Sequence, residues 1–162
     1  MTLALPETGI TKVVGLLEIL HDHGDEEETV ALSGELNMTL EDLLPVMEAA
    51  QMLGFITISG GKIKIAKEGL EVISSPTLQA RKERIRNRVM ALEVFKKVME
   101  LMGAREGKTH KKHLLKMLRA ELPKDKAEKT FKRIVEWGRH AGIIGYDSDT
   151  EETFFIIEVK KK

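Results

Sequence analysis

The chain has 162 residues, of which 42% are hydrophobic, and its 26 Lys+Arg balance its 26 Asp+Glu. This length allows one ordinary domain or two small ones with a packed core. The lack of cysteine excludes disulfides, thiolate metal sites and a cysteine nucleophile. Because no run is long and apolar enough to span a membrane, and the start MTLALPETG does not resemble a secretory signal, we expect a cytoplasmic protein without membrane insertion.

The balanced charge conceals a segregation along the chain. Residues 1–75 hold 4 Lys+Arg against 13 Asp+Glu, a net charge of −9, whereas residues 76–162 hold 22 against 13, a net charge of +9. Such asymmetry indicates two modules that have different partners or that attract each other.

The first half predicts three helices and a hairpin. The stretch GITKVVGLLEILHDHGD repeats apolar residues at helical spacing until Gly24, and EEETVALSGELN predicts a short helix with Val30, Ala31 and Leu36 inward. A third helix begins after a cap at Thr39. Its expected inward residues are Leu40, Leu43, Leu44, Met47, Ala50 and Leu53. The alternation in FITISGGKIKIA is typical of a tight hairpin.

The second half predicts the same order of elements. The basic stretch TLQARKERIRNRVMALEVFKKVMELM predicts one long helix that connects the modules and begins the second one. A short helix then ends before Pro123, residues 125–143 predict a third helix, and residues 143–159 predict two strands around a polar turn. We therefore expect a mainly α fold with small β-hairpins, arranged as tandem winged-helix modules. The acidic module spans residues 1–78, and the long basic helix with the second module spans residues 79–162.

The stretch GAREGKTHKK invites comparison with a phosphate-binding P-loop. Its spacing is one residue shorter than G-x-x-x-x-G-K-[ST], and a helical pattern rather than a buried strand precedes it. The alternative interpretation is that Gly103 ends one helix and Thr109 caps the next. We therefore expect no nucleotide or other cofactor in this chain.

The third helix of each module carries a different charge. In the first module, Glu41, Asp42 and Glu48 form a candidate acidic docking face that would repel DNA phosphates. In the second, the acids Asp125, Glu128 and Glu136 interleave with the bases, as on a solvated helix surface. Nucleic-acid binding stays open there. The candidate face for a protein partner or nucleic acid consists of Lys112, Lys116, Lys126, Lys129, Lys132, Arg133 and Arg139.

Neither the histidines nor the aromatic residues form a recognisable active site. His110 and His113 are three residues apart and His21 and His23 flank Asp22, but no further ligands follow at metal-site spacing, so we expect no metal. No nucleophile elbow or carboxylate pair indicates an enzyme. The only tryptophan and tyrosine, Trp137 and Tyr146, flank a predicted helix end. They predict either a packed corner between helix and wing or a binding hot spot.

Several of these segments also carry a family resemblance. The matching points are Gly15-Leu-Leu-Glu18, Leu43-Leu-Pro-Val-Met-Glu-Ala-Ala50, Leu53-Gly-Phe55, Lys67-Glu-Gly69, Trp137-Gly-Arg139 and Tyr146-Asp147. The sequence resembles the C-terminal AAA-associated domain, which follows the ATP-binding cassette in prokaryotic transport ATPases of the nitrate/sulfonate/taurine-like group. The resemblance implies association with a transport ATPase and regulation, without a defined ligand or catalytic residue. The chain itself lacks the ATPase domain, so any ATP would be bound by another polypeptide.

Two functions follow as expectations. The first is a non-enzymatic accessory or regulatory protein of an ATP-binding cassette transport system that acts through protein contacts. The alternative is a DNA-binding transcriptional regulator that uses the basic module. The start MTLALPETG favours a complete protein over a fragment of a longer chain. The matched charges further predict that the acidic face docks on basic helices of the same chain or of a neighbouring copy, which includes a homo-oligomer. The sequence indicates neither a transported solute nor a sensed ligand.

Overall fold

The computed structural model of the chain describes residues 3–156. Within this range the chain forms two compact units. The N-terminal unit is Pro6–Arg84, and the C-terminal unit comprises residues 3–5 and 85–156. The division falls inside helix α5 (Leu78–Met90). The domain boundaries proposed from the sequence, 1–78 and 79–162, stay a prediction.

The N-terminal unit combines helices with a three-stranded antiparallel sheet. In chain order its elements before α5 are α1 (Ile10–Asp22), β1 (Glu26–Glu28), α2 (Thr29–Glu35), α3 (Leu40–Met52), β2 (Ile56–Ser59), β3 (Lys62–Ile65) and α4 (Lys67–Ile73). The strand order is β1-β3-β2, with Glu26 opposite Lys64 and Ile56 opposite Ile65. The hairpin predicted about Gly60 and Gly61 is confirmed, and both glycines have positive φ as a tight turn requires.

The C-terminal unit repeats the order helix, strand, helix, helix, hairpin. After α5 come α6 (Glu93–Gly103), β4 (Lys108–His110), α7 (Lys111–Arg119), α8 (Lys124–His140), β5 (Ile144–Asp147) and β6 (Glu152–Phe155). The second sheet has the order β4-β6-β5 and is again antiparallel. The sequence-based prediction of a mainly helical chain with small β-hairpins is confirmed.

The packing of each unit follows from apolar residues at helical and strand spacing. In the N-terminal unit α1 contributes Leu16, Leu17 and Leu20, which are fully buried, and α3 contributes Leu43. In the C-terminal unit the largest fully buried side chains are Trp137 of α8 and Phe95 of α6. Such buried side chains provide most of the free energy that holds each unit together.

The long helix predicted over residues 77–102 is wrong, because the chain forms two helices there, α5 and α6. The helix is interrupted at Leu92, whose backbone is extended with φ −70° and ψ 140° and whose N–H donates to the Val89 carbonyl at 3.1 Å. The local sequence Met-Ala-Leu-Glu consists of good helix formers, so tertiary packing overrides helix propensity at this point.

The predicted inward residues of the second helix are also partly wrong. Val30 is 70% exposed and Ala31 is exposed, whereas Leu32 is fully buried. Residues 26–28 form a strand, so α2 begins only at Thr29, and Leu32 is its buried residue. The end of the last predicted strand, residues 157–159, lies outside the described residues.

Thr109 does not cap a helix. It lies in β4 with its side chain buried, and the N-cap of α7 is His110, whose Nδ1 accepts a hydrogen bond from the backbone N–H of Lys112 at 3.0 Å. The Gly-Lys-Thr triplet therefore leads from a turn into a strand. The other half of that prediction is confirmed, since α6 ends at Gly103.

Candidate functional site

The acidic candidate face lies on α3 of the N-terminal unit. The helix begins where the Thr39 hydroxyl accepts a hydrogen bond from the backbone N–H of Asp42 at 3.1 Å, as the capping pattern predicted. Glu41, Asp42 and Glu48 are exposed. The first two lie in the first turn, where the helix dipole favours negative charge. The role of these acids in docking stays a prediction.

Two leucines of α3 change the chemistry of this face. Leu40 and Leu44 are 49% and 51% exposed, so their predicted inward orientation is wrong. The helix instead buries Leu43, Val46, Met47, Ala49 and Ala50, which centres its inner face away from them. Because residues four apart share a helix face, Leu40, Leu44 and Glu48 form one row with Glu41 beside it. We call Leu40, Glu41, Leu44 and Glu48 the acidic ridge.

The C-terminal unit presents a complementary surface on α7. An open groove of about 580 Å³ is lined by Lys112, Leu115, Lys116, Arg119 and Ala120, which we call the basic groove. Leu115 is half-buried, and the three cations are exposed. Helix α7 contains no Asp or Glu. The sequence predicted the lysines of this surface but not the apolar residues that line it with them.

Helix α8 has a more mixed surface. Lys126, Lys129, Lys132 and Arg139 are exposed, but so are Asp125, Glu128 and Glu136. Arg133 is only 28% exposed at its side chain and forms an ion pair with Glu136 at 3.0 Å. The basic residues predicted on α7 and α8 therefore lie on two helices of different character, since α7 itself has no Asp or Glu whereas α8 has three acids among its bases.

Part of the basic charge has a structural role at helix ends. Arg81 of α5 donates to the carbonyls of Val72 and Ile73 at the end of α4, at 3.2 and 3.3 Å. Arg86 donates to the carbonyl of Ala141, the C-cap of α8, at 2.9 Å. Cations at helix C-termini satisfy orphan carbonyls and oppose the negative end of the helix dipole. The net charge of a module therefore overstates the charge that a partner meets.

The hairpin that follows α8 is acidic at its turn. Asp147, Asp149 and Glu151 are exposed there, and the Asp147 carboxylate accepts hydrogen bonds from the backbone N–H groups of Asp149 and Thr150. Glu152 lies 3.9 Å from Lys108. This turn would repel nucleic-acid phosphates that approach it.

The two residues of the predicted corner, Trp137 and Tyr146, differ in their burial, and whether they form a packed corner or a binding hot spot stays a prediction. Trp137 is fully buried, and the half-buried Tyr146 ring meets Phe131 edge to face with 5.7 Å between ring centroids. Lys111 Nζ lies 5.2 Å from the Phe131 centroid. Burial raises the pKa of Tyr146, and the nearby carboxylates of Glu151 and Asp147 raise it further. Of the two corner residues, only Tyr146 is accessible to a partner.

The pKa of His113 is shifted by its surroundings on α7. Its pKa is lowered from 6.5, first by desolvation and then by the positive charges of Arg105, Lys112, His110 and Lys116. The imidazole is therefore held neutral near pH 7 within a cationic neighbourhood.

One group of potential metal ligands was missed by the sequence analysis. His23 Nε2 lies 2.7 Å from Glu35 and its Nδ1 lies 3.7 Å from Glu27, so three ligand atoms lie within 4.8 Å of one another. Glu27 is four residues after His23, but Glu35 is twelve residues away and is brought to His23 by the fold. The three side chains could hold a divalent cation, but they are at least partly exposed, and exposed acidic groups are common without a metal.

A known domain family covers most of this chain. The sequence model of the C-terminal AAA-associated domain matches residues 30–147. The chain belongs to this family. The matched range includes the acidic ridge, the basic groove and the Trp137 corner, and it confirms the resemblance expected from the sequence. No curated protein and no solved structure matches the chain. Within residues 3–156 of this AAA-associated domain protein, none of the helices has the length and apolar character needed to cross a membrane.

Proposed function

We propose that this protein is a non-enzymatic accessory or regulatory component of an ATP-binding cassette transport system, and that it acts in the cytoplasm through protein–protein contacts. The observation that carries the proposal is family membership over residues 30–147, because the family name associates the domain with an ATPase. The acidic ridge and the basic groove supply two surfaces of matched apolar and charged character for such contacts.

The sequence supports the proposal that ATP is bound by an ATPase domain and not by this domain. The 162 residues contain no complete P-loop motif, and the Gly-Lys-Thr triplet leads into β4 rather than into a helix N-terminus that could hold a phosphate. ATP binding and hydrolysis then belong to an ATPase domain, on the same polypeptide or on a separate one.

We also assign each unit to the winged-helix class. The order helix, strand, helix, helix, hairpin occurs in both units, with the sheet orders β1-β3-β2 and β4-β6-β5. In this assignment α3 and α8 are the helices that a winged helix would present to a ligand, and the two hairpins are the wings. Helix α3 exposes acidic side chains, which would repel DNA phosphates, whereas α8 exposes several lysines. We therefore expect α3 to bind a protein.

The test is recovery of the transport ATPase from cells that express both proteins. We expect the wild-type chain to retain the ATPase at about 0.15 M salt, where surface charges act over roughly 8 Å. Glu41→Lys with Glu48→Lys should reduce recovery if the ridge is the contact, and Glu68→Lys on the exposed part of α4 is the matched control. Failure of the wild-type chain to recover any ATPase subunit would contradict the proposal.

The second candidate is a DNA-binding regulator. It is favoured by the exposed cations on two successive helices, α7 and α8. It predicts duplex DNA binding that weakens steeply with salt and is lost in Lys129→Glu with Lys132→Glu, with Lys96→Glu on α6 as the control. The Arg133–Glu136 pair and the acidic turn after β5 count against it. Absence of any retardation of mixed-sequence DNA at low salt would eliminate this candidate.

A further inference from the structure

We propose that the acidic ridge of one copy of this chain binds the basic groove of a second copy, so that the protein associates head to tail. This inference concerns a contact between copies and is independent of the proposed role beside a transport ATPase. It rests on the shape, polarity and charge of two surfaces that belong to the same chain.

The two surfaces match in their apolar parts. The ridge projects Leu40 and Leu44, each about half exposed and one helical turn apart on α3. The groove on α7 has Leu115 and Ala120 among its lining residues. Exposed large apolar side chains with a polar border are typical of interaction sites, because their burial removes apolar surface from water.

The two surfaces also match in charge. Glu41 and Glu48 flank the leucines of the ridge, and α3 has no Lys or Arg. Lys112, Lys116 and Arg119 line the groove together with its apolar residues, and α7 has no Asp or Glu. Since each helix carries charge of a single sign, either pairing of like surfaces would be repulsive.

A second copy is the occupant that satisfies both surfaces at once. The two carboxylates of the ridge face the three cations of the groove when identical chains meet, so each copy brings a surface of the opposite sign to the other. An acidic foreign partner would cover the groove but leave the ridge exposed. A single contact between ridge and groove leaves one ridge and one groove free, so the assembly either closes as a reciprocal two-fold dimer or a ring, or extends as an open chain.

The experiment uses two variants of the full chain with reversed charge. Variant A carries Glu41→Lys with Glu48→Lys, so both of its surfaces are basic; variant B carries Lys112→Glu with Lys116→Glu, so both are acidic. Sedimentation velocity is measured at about 0.05 M and 0.5 M salt, where the screening length falls from roughly 14 to 4 Å. Far-UV circular dichroism establishes that each variant is folded.

We expect the wild-type chain to show a mass that rises with concentration at low salt and falls at high salt. A and B alone should be monomeric, an equimolar mixture of A and B should associate again, and the variant with all four substitutions should recover self-association. Glu68→Lys and Lys96→Glu, single reversals at exposed sites outside both surfaces, should behave as the wild type.

Three results would overturn the proposal. A wild-type chain that stays monomeric at low salt and high concentration excludes the contact, and if variant A then fails to recover the ATPase, the ridge belongs to that partner instead. Association that persists in A and in B shows that a different surface is used. Folded A and B that do not associate when mixed show that charge pairing between these surfaces is absent.

Discussion

The third helices of the two units end in the same turn but expose different side chains. Helix α3 ends before Gly54, with φ 80°, and the N–H of Phe55 donates to the Ala50 carbonyl at 2.9 Å. Helix α8 ends before Gly142, with φ 72°, and the N–H of Ile143 donates to the Gly138 carbonyl at 2.8 Å. This is the 6→1 hydrogen bond of a Schellman cap in both cases.

The residues of α3 and α8 can be matched by their distance along the chain from Gly54 and Gly142. Leu44 of α3 and Lys132 of α8 each lie ten residues before their cap glycine. Glu41 and Lys129 each lie thirteen residues before it. All four are exposed. The shared turn fixes the backbone and the buried side of each helix, whereas the outer side carries acid and leucine in one unit and lysine in the other. Shared architecture therefore does not imply a shared partner.

The largest effect of a substitution is expected at Trp137. Five residues before the cap glycine, α8 has Trp137 and α3 has Ala49, and both are fully buried. Trp137→Ala should lower the free energy of unfolding by about 3–5 kcal/mol, because it leaves a large cavity. Denaturant titration followed by circular dichroism measures it, with Tyr146→Phe as a mild control. A loss below about 1 kcal/mol would show that the indole is not a core residue.

The next largest effect is expected at Gly69. A Cβ there would overlap the Phe55 carbonyl oxygen and would lie 3.0 Å from its carbon, both backbone atoms that cannot move alone. Gly69→Ala should therefore destabilise the chain by about 3 kcal/mol. At Gly138 the overlap is with the flexible Ile144 side chain, so Gly138→Ala should cost less.

Gly15 is the matched control for these two glycines. A Cβ at Gly15 in α1 meets nothing within 4 Å. Gly15→Ala should stabilise the chain by about 0.5–1 kcal/mol, since alanine loses less backbone entropy in a helix. All three glycines lie in segments on which the family resemblance rested. Equal effects at Gly15 and Gly69 would contradict the packing described for α4.

The sequence predicted those elements whose signals are local. Apolar periodicity located α1, α3 and α8, Thr39 marked the start of α3, and Gly60-Gly61 marked the first hairpin. The strands β1 and β4 were missed because they have only three residues each and exist through pairing with distant strands. Glu26–Glu28 has low intrinsic strand propensity, but it pairs with Lys62–Lys64, and Glu26 lies 3.7 Å from Lys62.

The candidate surfaces were predictable in charge but not in shape. Charge can be read from the sequence, so the acids of α3 and the lysines of α7 were found. The exposure of Leu40 and Leu44 depends on which side of α3 faces the interior, and a helix with so many apolar residues leaves that choice ambiguous. The group of His23, Glu27 and Glu35 depends on tertiary packing and gave no local signal.

A smaller effect is expected at the buried threonines of the second sheet. The Thr109 hydroxyl is buried and, among the described residues, has no hydrogen-bond partner. Thr109→Val should raise the free energy of unfolding by about 1 kcal/mol, because it removes a polar group that has lost water. Thr153 is the opposite case, since its hydroxyl donates to the Thr109 carbonyl at 3.3 Å. Thr153→Val should destabilise, and the same sign for both would refute this account.

The smallest effect, and the one that best measures the electrostatic difference between the units, concerns His113. Desolvation lowers its pKa below 6.5, and the positive charges around it lower the pKa further. The unfolded chain therefore binds this proton more readily than the folded one. The contribution of His113 to stability is present above pH 6.5 and is lost as the pH falls through the folded-state pKa.

Titration of the imidazole by NMR should show a midpoint below 6.5. Lys112→Glu with Lys116→Glu should raise that midpoint, because two charges that oppose protonation are replaced by two that favour it. Lys96→Glu, whose side chain is not among those acting on His113, should leave the midpoint unchanged. A wild-type midpoint at or above 6.5 would contradict the desolvation and the cationic surroundings described for His113.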